Sequence, residues 1–375
     1  MNKFFRNAAV MALAATMLAG CGGSGDAEKP EGGEQADGAE KLKVSLLVTG
    51  SFGDKAFNDS AQAGMERLAA ELGDKVEIEM IELGTDKTKF EGSLLDASES
   101  DADIIVTGLW EMKEVTEKVA QEFPEKKYII FDTDIDYSLG DLSNVYSMSY
   151  KQNEGAFLAG VLAASATTSD MEFANEENII GFVGAKDTAA VINDSAVGFI
   201  QGAQFVDPDV KVLVSYVGSY VDSATAKELA LTQYSSGADV VFVAAGPSSV
   251  GAIEAAAESQ KYIIGVDSDM ALAYEGKTEA DYIISSAIKG VGDSIYNAVD
   301  RTLNSTLPYG EHEVLGLKEG VVYLADNEIY QTVVPEAVRA AVTDAEGKLL
   351  SGEATVDSAY GMEKETLQSI IDSAK

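Results

Sequence analysis

Short apolar runs alternate with longer stretches in which apolar residues recur every three or four positions, and this rhythm begins at Leu42. Lys43 to Thr49 (KVSLLVT) is β-branched and apolar and stops at Gly50. From Asp59 to Leu72, the residues Ala61, Met65, Leu68, Ala69 and Leu72 fall on one side of a helix. Lys75 to Ile81 alternates as a strand does. Further strands are predicted at residues 104–107, 128–131, 179–183, 210–216, 240–244 and 263–266. Helices are predicted between most of them, for example at 115–122, 155–166, 224–234 and 251–260. Alternation of strand and helix predicts parallel sheets with helices on both faces, and strands apolar throughout suit that burial. The two halves share a plan of strand, Gly-containing loop and helix. The expected fold class is therefore α/β, with two doubly wound parallel-sheet lobes and a ligand cleft between them.

In such sheets a ligand sits beyond the carboxyl ends of the strands. The residues found there are Gly50-Ser51-Phe52-Gly53-Asp54, Gly108-Leu109-Trp110, Asp132-Thr133-Asp134, Gly184-Ala185-Lys186-Asp187, Gly218-Ser219-Tyr220, Ala245-Gly246-Pro247-Ser248 and Asp267-Ser268-Asp269. Glycine lets backbone approach a ligand, carboxylates accept from hydroxyls or amines, and aromatics offer flat faces. This combination suits a neutral, hydroxyl-rich, ring-containing solute.

Charge and cysteine content narrow the picture. A formal net charge of -36 repels polyanions, so nucleic acid is not an expected partner. Cys21 is the single cysteine, which excludes an internal disulfide framework and a four-cysteine zinc site. Lys3 and Arg6 precede an apolar run from Ala8 to Met17 and then Leu18-Ala19-Gly20-Cys21, the pattern of a secretory signal peptide over residues 1–20. Leu-Ala-Gly-Cys resembles the bacterial lipobox, which implies lipidation of Cys21 and anchoring at the extracytoplasmic face of the cell membrane. Residues 21–41 carry that cysteine and a stretch with no large apolar side chain, expected to be a flexible tether that spans about 25 Å root-mean-square.

The loop Gly53-Asp54-Lys55-Ala56-Phe57-Asn58-Asp59-Ser60 resembles the "DKSFN" signature of the basic membrane protein family, purine-nucleoside-binding lipoproteins of ABC transporters. Tyr150-Lys151-Gln152-Asn153-Glu154-Gly155-Ala156-Phe157-Leu158-Ala159-Gly160 is similar to that family's "FKxxEGSFLAG". Gly181-Phe182-Val183-Gly184, the block at 237–246, the block at 264–269 and Leu317-Lys318-Glu319-Gly320-Val321 continue the likeness in order over most of residues 43–325.

The resemblance implies a type I periplasmic-binding architecture, two lobes joined by three crossing strands, that closes on its solute and is then met by permease subunits. Residues 42–148 with 270–304 are expected to form the first lobe, and 149–269 with 305–375 the second. The resemblance also makes Phe57 and Tyr220 opposite faces of a base sandwich; Phe57 otherwise packs under its loop. Asn58 suits a purine edge or caps the following helix, a role open to Asp59 or Ser60 as well. Asp132 and Asp267 accept from ribose hydroxyls or cap loops, Lys289 reaches the sugar, and Gly246 gives close backbone approach. Trp110 stands where the family commonly has a small or apolar residue, and fills part of the pocket or packs at the hinge.

Neither a cofactor nor a metal is expected, and the chain is expected to act as a monomer. The only histidine, His312, lies in the polar run Tyr309-Gly310-Glu311-His312-Glu313, shows no nucleophile partner and reads as surface. There is no G-x-x-x-x-G-K-[ST] phosphate loop. Enzymatic activity is therefore not expected. Two other readings stand beside nucleoside capture: a pentose or hexose receptor on the same fold, and a surface enzyme that processes nucleosides.

Overall fold

A computed structural model describes residues 41–54 and 57–375, and the expected signal peptide, Cys21 and nearly all of the tether lie outside the described residues. The apolar runs become strands that assemble into two six-stranded sheets. The first sheet is built from β1 (Leu42–Val48), β2 (Val76–Glu82), β3 (Ile104–Gly108), β4 (Lys127–Phe131), β5 (Val145–Tyr150) and β11 (His312–Leu315), in the order β11-β5-β4-β3-β1-β2. The second contains β6 (Ile179–Gly184), β7 (Lys211–Tyr216), β8 (Val240–Ala244), β9 (Tyr262–Asp267), β10 (Ile283–Lys289) and β12 (Val322–Leu324), in the order β12-β10-β9-β8-β6-β7. All neighbours pair in parallel except β10 and β12, which are antiparallel.

Three inner strands, β3, β8 and β10, are buried along their whole length. Ile104–Gly108 and Val240–Ala244 have helices over both faces, which is why they read as unbroken apolar runs. In the second lobe, helices Gln152–Thr167 and Ala190–Val206 lie against each other so closely that a Cβ at Gly160, Gly198 or Gly202 would collide with the facing backbone. The chain passes between sheets at three places: after β5 into helix Gln152–Thr167, after β10 into helix Val291–Leu303, and between β11 and β12.

These passages divide the chain differently from the expected boundaries. Of residues 270–304, expected in the first lobe, β10 pairs with β9 in the second sheet, and Met270–Ala273 packs beside it. Only helix Val291–Leu303 is built into the first lobe, where it packs on helix Phe57–Leu72. Of residues 305–375, expected in the second lobe, β11 pairs with β5 in the first sheet. The cause is that the crossings fall at Gly290 and in the turn 316–321, where the chain has no extended apolar pattern to mark them. Among the described residues no helix is long and apolar enough to cross a membrane.

Candidate functional site

Asp132 follows β4 and Asp267 ends β9, so each stands at the carboxyl end of a parallel strand, one per sheet. Both are held in the left-handed backbone region, at φ 58° and 69°. A non-glycine residue there stores about 1–3 kcal/mol and persists where its surroundings over-determine it, often at ligand sites. Lys289 ends β10 and turns its ammonium toward them. Its Nζ lies 3.1 Å from Asp132 Oδ1, with side chains only 8% and 18% exposed.

Burial pushes the Asp267 carboxyl up from its ordinary range, and the Lys289 charge opposes that push. Burial also pushes the Lys289 ammonium down, but Asp132 and Asp267 together outweigh it and hold lysine above its ordinary value. Two carboxylates against one ammonium leave a partly desolvated excess of acceptors, which suits a solute that brings hydroxyl donors.

The aromatic residues surround this cluster unequally. Tyr220, Trp110 and Asp132 line a cavity of about 920 Å³, together with Tyr150, His312 and Tyr360. Lys186 Nζ sits 5.4 Å from the Tyr220 ring centre, and Lys87 Nζ sits 4.1 Å from that of Trp110, which is 67% exposed. Gly246, at φ 55°, lies against the Tyr220 ring, where a Cβ would be 3.4 Å from Tyr220 Cδ1. Its close approach is thus to Tyr220. Phe57 opens helix Phe57–Leu72, and its ring packs 5.6 Å from that of Phe131. Lys289 Nζ is 5.6 Å from both the Phe57 and the Tyr150 ring centres. Phe57 therefore joins the cluster through Lys289 and the first-lobe core rather than through the lining of the 920 Å³ cavity. Asp267 and Lys289 border a separate, small void with Gln152 and Gly155.

Two expected roles change. The Asn58 carboxamide nitrogen donates to the carbonyl oxygens of Thr49 and Ser51, both at 3.1 Å, which uses both of its amide hydrogens inside the β1 loop. Asp54, not Asn58, caps the helix: its carboxylate accepts from the Asn58 and Asp59 backbone N–H groups at 2.9 and 3.2 Å. His312 is not a plain surface residue. It opens β11 half-buried, with Nδ1 2.9 Å from Ser147 Oγ and Nε2 3.0 Å from Ser149 Oγ on the paired strand. Burial foremost holds its imidazole below the ordinary value, against the pull of Asp134.

Several residues at or around the cavity carried little signal in the chain's pattern. Tyr150 sat inside a recognisable block, but its approach to Lys289 depends on the crossing after β5. Lys186 stood in a strand-end loop without an assigned role, and Lys87 looks like an ordinary solvated lysine. Tyr360 lies in an irregular C-terminal stretch, and only the following Gly361, at φ 72°, hints at a turn.

Comparison with known proteins bears on the fold and the family. The sequence profile described as "ABC transporter substrate-binding protein PnrA-like" matches residues 41–346. Basic membrane protein A of Borreliella burgdorferi is 31% identical over 299 residues, covering 79% of this chain and 82% of that protein. The ABC transporter nucleoside-binding protein BmpA of Lactococcus lactis subsp. cremoris is 30% identical over 374 residues, covering 93% and 97%. The crystal structure of a solute-binding protein of an Aeropyrum pernix K1 ABC transporter system superposes with a TM-score of 0.72 at 26% identity, covering 88% of this chain and 96% of that one.

Proposed function

This chain belongs to the PnrA-like family of ABC transporter substrate-binding proteins, and from that premise we propose that it captures a purine nucleoside between its two lobes and hands it to a membrane permease. The observation that carries this reading is the cluster of Asp132, Asp267 and Lys289, in which strand ends of both sheets bring two acceptors and one ammonium together beside aromatic rings. The carboxylates accept from the ribose hydroxyls and Lys289 donates to the sugar. The base lies on Tyr220 with Trp110 at the mouth, and closure of the lobes brings Phe57 onto the opposite face. Asn58 acts by bracing the loop that carries Phe57.

The nucleoside-binding name of the Lactococcus lactis relative supports the solute class. Solute bound to both lobes draws the population toward the closed form, which the permease then meets. In this reading a lipid on Cys21 and the tether at residues 22–41 hold a monomeric binding unit at the extracytoplasmic face of the membrane, and the solute leaves chemically unchanged.

Equilibrium dialysis of the purified protein against adenosine, guanosine and inosine, with chromatography of the retained material, tests this. Retention of intact nucleoside is expected. No retention of any of them, or release of free base, contradicts the reading.

A further inference from the structure

The segment between helices Glu336–Ser351 and Lys364–Ser373 lies past the last residue matched by the family profile, yet it returns to the cleft. Val356, Ser358 and Tyr360 line the 920 Å³ cavity beside Asp132, Tyr150 and Tyr220. The segment holds this place through hydrogen bonds to the two helices that pack face to face in the second lobe. Asn153 Nδ2 donates to the Asp357 carbonyl at 3.0 Å. Gln201 Nε2 donates to Asp357 Oδ2 at 2.7 Å, and the Asp357 N–H donates back to Gln201 Oε1 at 2.9 Å.

The central anchor is Asp194, 1% exposed. Its Oδ1 accepts from Ser358 Oγ at 2.7 Å and from the Ala359 N–H at 2.8 Å. Its Oδ2 accepts from Gln152 Nε2 at 2.8 Å and the Asn153 N–H at 3.3 Å. Burial raises the Asp194 carboxyl, and these four donors oppose the rise. A buried carboxylate is costly to desolvate, and one that spends half its bonds on two consecutive loop residues fixes that loop's position firmly.

What the loop presents is Tyr360. It is 55% exposed, an unusual state for a large aromatic in a tightly anchored turn. Burial of its hydroxyl end raises the phenol, and the nearby Lys289 ammonium opposes this, so the hydroxyl sits within electrostatic reach of the charged cluster.

We propose that Tyr360 is a solute-contacting, specificity-determining residue, whose phenol hydroxyl bonds the sugar of the captured nucleoside beside Lys289 and Asp132. The assignment rests on the nucleoside-capture reading. It makes the C-terminal segment a third wall of the site, added to the two sets of strand-end loops.

Calorimetric titration of the wild-type protein, Tyr360→Phe and Tyr360→Ala with inosine, guanosine and the corresponding free bases tests it. Removing one hydrogen-bonding hydroxyl weakens a contact by about threefold to tenfold, so Tyr360→Phe is expected to lose that much for each nucleoside and nothing for a free base. Tyr360→Ala is expected to lose about tenfold or more for the nucleosides, with an unchanged melting temperature because the side chain is half-exposed. Wild-type affinity in both variants, or an equal loss for free bases, overturns the Tyr360 assignment and leaves nucleoside capture standing. A wild-type protein that binds no nucleoside removes the capture reading, and the assignment falls with it.

Discussion

Lys289 Nζ lies 3.1 Å from Asp132 Oδ1, a contact that ties the last residue of a second-sheet strand to the residue following a first-sheet strand. Desolvation makes the pair sensitive to loss of either partner. Lys289→Met leaves Asp132 and Asp267 near each other with no counter-charge, and breaking a buried pair in this way typically costs about 3–5 kcal/mol. Urea unfolding is expected to report destabilisation of about that size, and nucleoside binding is expected to fall below detection. The raised lysine sets a pH window as well. Its stabilisation is fully present below the unfolded value near pH ~10.4 and is lost as pH climbs through the higher folded value.

Asp267 differs at neutral pH, where its charged form is the one that burial disfavours. Its carboxyl is raised by burial, so the folded state binds the proton more tightly than the unfolded chain does. Stability therefore falls as pH rises from the unfolded value, ~3.9, through the folded one. Asp267→Asn removes that penalty and leaves Lys289 paired with Asp132. The melting temperature of the unliganded protein at pH 7 is expected to rise. Nucleoside affinity is expected to drop about tenfold to a hundredfold, the worth of a charged hydrogen bond. A lower melting temperature would show that Asp267 holds the fold rather than the solute.

His312 links the first-sheet edge to acidity. The imidazole bonds Ser147 and Ser149 across β5 and β11, and its value is lowered by burial, with Asp134, Glu313 and Lys113 as charged neighbours. A lowered histidine stabilises fully above its unfolded value of ~6.5, and that contribution is lost as pH falls through the folded value. Because the chain has a single histidine, comparison with His312→Gln isolates the effect. The melting temperature of the wild type is expected to drop more steeply between pH 7 and pH 5 than that of the variant; parallel slopes would contradict the assignment.

The aromatic residues separate by position. Stacking on one ring is worth about 1–3 kcal/mol per base. Tyr220→Ala, which removes a cavity-lining ring, is expected to weaken nucleoside binding by about tenfold or more. Phe57→Ala is expected to do the same and also to lower the melting temperature, since that ring packs on Phe131 and the first-lobe core. Calorimetry and thermal melting of the two variants check both statements. A Phe57 variant that melts early but binds normally makes its role packing alone.

The fold was legible where strands are continuous apolar runs, as in β1, β3 and β8. It was not legible at β10, whose Ser285 and Ser286 break the pattern. Both serines are buried, with Ser285 Oγ donating to the Ala325 carbonyl and Ser286 Oγ accepting from the Met270 N–H. Such satisfied hydroxyls cost little inside a sheet but erase the apolar signature. The short edge strands β11 and β12 also lacked it, and with them went the true crossing points. At the site, strand-end position and family likeness singled out Asp132, Asp267, Tyr220 and Lys289. They did not reveal that Lys289 bridges the sheets, that Asn58 spends its amide on Thr49 and Ser51, or that Tyr360 returns to the cleft. The first and last depend on hydrogen-bond partners far apart in the chain, such as Asp194 with Ser358, and the Asn58 contact on how its loop folds back.

The most direct test is a calorimetric titration of the unfolded-and-refolded protein, freed of any co-purified solute, with adenosine, guanosine, inosine, uridine and ribose. Binding of a purine nucleoside at micromolar affinity or tighter, about 8 kcal/mol, is the expected result, with uridine weaker and ribose weaker still. Binding of ribose alone, or heat with none of the five, contradicts nucleoside capture.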